Sequence, residues 1–156
     1  MEINIGTSQK NLDEVCESLQ NFLATTYALY LKTQNFHWNV RGPEFFSLHK
    51  LFEKHYEELA EAVDEIAERI VILGTPVDGT FSGFIHRSAI KESKGNLSAT
   101  LMLKALVEAH EAMSLIGRPL IRYLQLLEDD VSSDLIIRRV LFHEKAAWML
   151  RSHLKN

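Results

Sequence analysis

Four long stretches of this chain repeat apolar residues at intervals of three and four, and only three prolines interrupt its 156 residues. That spacing gathers apolar side chains on one face of a helix, so each stretch must bury a face against another. The first covers residues 12 to 38, with Leu12, Val15, Leu19, Phe22, Thr26 and Tyr30 in its stripe, and ends at Asn39-Val40-Arg41-Gly42-Pro43. The second covers 47 to 73, with Leu48, Phe52, Leu59, Val63, Ile66 and Ile70, and stops at Gly74-Thr75-Pro76. Residues 75 to 96 carry Pro76, Gly79, Gly83 and Gly95, yet Phe81, Phe84, Ile85 and Ile90 supply enough apolar surface to pack as a short helix. The third long stretch covers 98 to 127, with Leu103, Leu106, His110, Met113, Leu120 and Leu124, and Gly117 and Pro119 mark a possible kink. Glu128-Asp129-Asp130 breaks the pattern. Ser132 or Ser133 is the expected cap of a fourth helix carrying Ile136, Val140, His143, Ala147, Leu150 and Leu154. Two short connections flank a long one. The expected fold is all-α, one domain over residues 1 to 156: two helical hairpins joined by a crossover into a four-helix bundle.

Metal-ligating side chains are superimposed on the second stripe. His49 and Glu53 are four residues apart, as are Asp64 and Glu68, so each pair faces one way. From Glu53 to Asp64 the helix turns through about 1100°, returning to nearly the same face, but climbs roughly 16 Å. Metal–oxygen and metal–nitrogen bonds are only about 2 Å long. One straight helix therefore cannot close both pairs on one ion. Two copies can, if their helices lie antiparallel about a two-fold axis near residues 58 and 59, and the symmetry then makes two sites. His37, at the end of the first helix, adds a second imidazole.

The plain alternative is a solvated acidic face, since Glu57, Glu58, Glu61 and Glu65 are acids too. Two features count against it. Acids outnumber bases seven to two between Glu53 and Arg69, and so much like charge on one helix gains from a bound cation. The two histidines sit at the N-terminal end of the stripe, and imidazole with carboxylate suits iron, whereas an all-oxygen set suits magnesium or calcium. An intrachain diiron bundle would use Glu-x-x-His on two helices. That motif does not occur in this sequence.

Among the other histidines, His110 and His143 lie on apolar stripes and read as core residues. His55 is turned about 200° from Glu53. His86 and His153 are expected at the surface. Trp38, beside His37, is a core residue or a neighbour of the site, while Trp148 is expected to pack in the core. Composition narrows the rest. A formal charge of −4 and a pI near 6.0 give no general attraction to nucleic acid or anionic membrane. Cys16 is the lone cysteine, which excludes an intrachain disulfide and four-cysteine metal sites. No membrane span or basic leader is apparent, so a cytoplasmic location is expected. Catalytic serine elbows, phosphate-binding glycine loops and dinucleotide fingerprints are missing.

Asn35-Phe-His-Trp-Asn-Val-Arg-Gly-Pro43, Leu48-His49, Asp64-Glu-Ile-Ala-Glu-Arg69, Leu73-Gly74 and the closing His143-Glu-Lys-Ala-Ala-Trp-Met-Leu150 together resemble the Dps proteins, or miniferritins. The resemblance spans nearly the whole chain. It implies a ferritin-like four-helix bundle with a short helix in the crossover between helices 2 and 3, assembled as a hollow homododecamer. It implies ferroxidase centres at two-fold interfaces: His37, His49 and Glu53 from one chain, Asp64 and Glu68 from its mate, the partition that the spacing reached separately. Glu53 departs from the family, which more often has aspartate there.

The chemistry so implied is oxidation of Fe(II) by hydrogen peroxide, or by dioxygen, and storage of ferric mineral under oxidative stress. Iron is the implied metal, with zinc as an alternative occupant at rest. Asp130 and Asp134 match acids at the family's three-fold pores; otherwise they serve as loop and capping residues. Lysine-rich tails that coat DNA in some members have no counterpart, since residues 1 to 11 hold Glu2 and only Lys10, and the C-terminus offers Arg151 and Lys155. DNA binding is expected to be weak. The alternatives are a nucleoid-coating protein with little ferroxidase activity and an intrachain, rubrerythrin-like diiron oxidase.

Overall fold

The computed structural model describes residues 3 to 154, and Met1, Glu2, Lys155 and Asn156 lie outside it. Five helices follow in order: α1 (Gln9–Asn39), α2 (Phe45–Ile72), α3 (Phe81–Arg87), α4 (Ala99–Leu126) and α5 (Asp130–Arg151). The four long helices and the short crossover helix form as the apolar stripes require. α1 packs along α2 and α4 along α5, making the two hairpins, and α3 lies on α1. Of the second helix's stripe, Leu48, Phe52, Leu59, Ile66 and Ile70 are buried with Val63 packed at the edge.

Helix starts follow capping chemistry. Ser8, Thr80 and Ser98 each accept a hydrogen bond from the backbone N–H three residues on, satisfying a donor that the first turn leaves open. The cap of α5 is Asp129, not Ser132 or Ser133. Glu128, with a left-handed φ of 60°, turns the chain out of α4, and Asp129 then accepts from Ser132 N–H at 2.9 Å. Both serines are consequently inside the helix and buried.

Asp129 is also buried against Arg69 of α2. The guanidinium donates through Nη2 to both carboxylate oxygens at 3.0 and 3.2 Å and through Nε to Ser132 Oγ at 2.9 Å. This knot ties the C-terminal end of α2 to the start of α5. Farther up α2, Arg139 pairs with Glu58, and Arg138 with Glu65 at 2.8 Å. Between α4 and α5, Gly117 is buried, and a Cβ there would lie 2.5 Å from Val140 Cγ2. α4 runs unbroken through Pro119.

Three histidines occupy the core. His110 and His143 are fully buried, with their Nδ1 atoms 2.9 Å apart, so one ring donates and the other accepts. His55 is buried edge-on to His110, with ring centroids 5.7 Å apart. His110 Nε2, His143 Nε2 and His55 Nδ1 have no hydrogen-bond partner among the described residues, so His110 and His143 are each satisfied at one nitrogen only. Trp148 is not in the core. It is 61% exposed, because it follows the buried Ala147 by one residue and is turned about 100° from it. Trp38 is likewise 62% exposed. His86 is exposed, and His153 is partly covered where it meets Glu44 at 3.6 Å.

Candidate metal centre

The end of α1 and the first turns of α2 are held together by their two histidines. His37 Nδ1 lies 2.8 Å from the carbonyl oxygen of His49, and His49 Nδ1 lies 2.9 Å from the carbonyl oxygen of His37. A carbonyl can only accept, so each Nδ1 carries the proton and donates. The proton on each ring is thereby fixed, and each Nε2 is left with a lone pair for a metal. The rings stack 3.8 Å apart at 18°. Phe45 stacks on the outer face of His49 at 5.0 Å, and Tyr56 meets His37 edge-on at 5.1 Å. Two further rings, Phe45 and Tyr56, thus flank the pair.

Glu53 stands one turn beyond His49, partly covered. Lys50 donates to its Oε2 at 2.6 Å, and this hydrogen bond holds the carboxyl below the usual glutamate range, with the two nearby imidazoles acting in the same sense. Burial, joined by the charges of Glu53 and Glu57, pushes the Tyr56 hydroxyl above the usual tyrosine value.

Asp64 and Glu68 lie farther along the same unbroken helix, both exposed. They differ from Glu58 and Glu65, whose carboxylates are already committed to arginines of α5. Among the described residues, neither Asp64 nor Glu68 makes an ion pair or hydrogen bond, and no group of three metal-ligating side chains converges. One protomer therefore brings His37, His49 and Glu53 to one end of α2 and leaves the acid pair about three turns away.

Trp38, Leu31, Phe81, Phe84 and Ile85 line a hollow between α1 and α3, and Phe81 continues into a second hollow with Val63 and Ala67. Phe81 is 74% exposed and Ile85 66%. Residues Tyr56 and Phe45 were not apparent as site residues from sequence, although both fall on the His49 side of α2, at seven residues after and four before.

A family model for the ferritin-like domain matches residues 16–156. The chain is 37% identical to DNA protection during starvation protein 2 of Bacillus anthracis over 141 residues, covering 90% of this chain and 97% of the relative. The chain belongs to the Dps family. Its fold matches the Dps protein of Vibrio cholerae O1, described as a member of a broad superfamily of ferritin-like diiron-carboxylate proteins, with a TM-score of 0.93 at 31% identity. That match covers 99% of this chain and 98% of the other. Dps from Staphylococcus aureus matches with a TM-score of 0.89 at 35% identity, over 92% and 97% of the two chains. As a Dps-family chain of the ferritin-like class, this protein has a four-helix bundle with a short crossover helix. No helix among its described residues is long and apolar enough to cross a membrane.

Proposed function

We propose that this protein is an iron-sequestering miniferritin, oxidising Fe(II) at centres shared between two subunits. The observation that carries the reading is the reciprocal bonding of His37 and His49, which commits both Nδ1 protons to backbone and leaves the two Nε2 atoms free to bind a metal, with Glu53 one turn along α2. Such an arrangement orients ligands in advance, so little ordering remains when the ion binds. The missing ligands are the partner subunit's Asp64 and the partner subunit's Glu68. Trp38, Phe81 and Ile85 are exposed apolar side chains of the kind that such pairing would cover.

The chemistry follows from the donor set. Imidazoles leave Fe(II) accessible, while the three carboxylates stabilise the higher charge of Fe(III). Each hydrogen peroxide takes one electron from each of two Fe(II) ions, its O–O bond breaks, and two hydroxides form. Consuming both reactants together suppresses hydroxyl radical. Ferric ions then pass to a mineral inside a hollow dodecamer in the cytoplasm. Protection of DNA, for which relatives are named, is achieved on this reading by chemistry instead of coating. Lys10 is the only lysine among the first eleven residues, and Glu2 and Lys155 lie outside the described residues.

Asp130 is exposed in the first turn of α5 and available to draw iron toward a pore, whereas Asp134 already bonds Arg138 Nε at 3.1 Å. The test is anaerobic Fe(II) titration followed by peroxide on wild type, His37→Ala and Asp64→Ala. Both variants are expected to lose rapid oxidation. Subunits exchanged between the two should recover part of it, since some interfaces then regain all five ligands. Wild-type rates in both variants would refute the assignment.

A further inference from the structure

Lys50 is the residue that the metal-centre reading leaves without a task. It follows His49 directly and precedes Glu53 by three positions, so the two side chains are neighbours on the surface of α2. Its ammonium donates to Glu53 Oε2 at 2.6 Å, with the lysine side chain 53% and the glutamate side chain 29% exposed. We propose that Lys50 competes with the metal for Glu53 and so sets how readily the centre fills; this inference rests on the reading of Glu53 as a ligand.

A metal ion and an ammonium cannot both take the same carboxylate oxygen without close like-charge contact. Filling the centre through Oε2 therefore requires the lysine to swing away, which its exposure allows at small cost. An exposed ion pair is a weak competitor, so the handicap it imposes amounts to roughly three- to fivefold in affinity. That is enough to hold the glutamate in place in the empty centre without blocking a divalent ion. The identity of residue 53 matters to the same device. Aspartate is one methylene shorter, which withdraws the carboxylate by about 1.5 Å from a lysine three residues back. Glu53 and Lys50 thus form a matched pair that aspartate would uncouple.

Zn²⁺ serves as a redox-silent probe, because it accepts the same imidazole and carboxylate donors. Calorimetric titration of the assembled, chelator-stripped protein at fixed ionic strength should show Lys50→Met binding Zn²⁺ about three- to fivefold more tightly than wild type. Lys50→Arg, which keeps the charge, should remain close to wild type. In a Glu53→Asp background the gain from Lys50→Met should shrink to under about twofold. Unchanged or weaker binding by Lys50→Met, or an equal gain in the aspartate background, would overturn the proposal. His37→Ala separates the two levels. If it binds Zn²⁺ as wild type does, the metal centre itself is misassigned; if it binds weakly while Lys50→Met gains nothing, only the role of Lys50 fails.

Discussion

Lowering the pH should destabilise this fold through three of its buried histidines, His55, His110 and His143, and the size of the effect follows from their burial. Burial holds His55 down at about 4 and keeps His110 and His143 well below the ordinary 6.5. His110 is closed in by His55 of α2, Arg139 and His143 of α5, and the Phe142 ring, while Arg139 is itself paired with Glu58 of α2. These neighbours offer no carboxylate to receive an imidazolium. Above pH 6.5 both folded and unfolded chains hold neutral imidazoles, and stability is at its full value. As the pH falls below 6.5 the unfolded chain takes up protons that the folded chain refuses, so stability declines until the folded rings titrate. Each such ring contributes a slope of about 1.4 kcal/mol per pH unit. His55 alone then accounts for roughly 3 kcal/mol between pH 6.5 and about 4.

The perturbation is the double variant His110→Leu/His143→Leu. Replacing both members of a buried hydrogen-bonded pair with apolar groups of similar size is close to neutral at pH 7.5. Below pH 6 it should remove about two-thirds of the slope that the three rings contribute, about 2.7 kcal/mol per pH unit. Urea unfolding midpoints between pH 7.5 and 4.5 measure this, with chelator present and protein concentration fixed so that assembly is constant. Parallel pH dependences for wild type and variant would refute the argument.

Gly117→Ala should lower stability by about 1 to 3 kcal/mol despite the better helix propensity of alanine, because the added methyl meets Val140 at 2.5 Å; a raised thermal midpoint would contradict this. Asp129→Ala strips the partner from the largely buried Arg69 and removes the cap of α5, so a loss of about 3 to 5 kcal/mol in denaturant unfolding is expected, and a loss below 1 would be inconsistent. Plasmid DNA at physiological salt should show no band shift with the purified protein at neutral pH, given a formal charge of −4 on each chain.

The helices and the shared faces of the candidate metal-binding side chains along α2 were legible because helical periodicity is a local property. His49 and Glu53, or Asp64 and Glu68, share a face wherever that helix packs, and the distance between the pairs follows from the rise per residue. The same locality explains what was not legible. Trp148 sits one residue past Ala147, and only the packing of α5 decides which of the two turns inward. Glu58 and Glu65 read as members of one acidic stripe with Asp64 and Glu68, until the register of α5 against α2 assigns them to Arg139 and Arg138. Asp129 reads as part of a loop, and its capping role follows from the turn at Glu128 and the reach of Arg69.

By itself, then, the order of residues determined that this chain makes four long helices and that one of them carries two pairs of side chains of metal-ligating type too far apart to meet. Which imidazole nitrogen carries the proton was decided only by tertiary structure, because the carbonyl that receives it belongs to a different helix. Hydrogen bonds between helices depend on their relative register to within a few tenths of an ångström, and a pattern that repeats every 3.6 residues holds no record of that register.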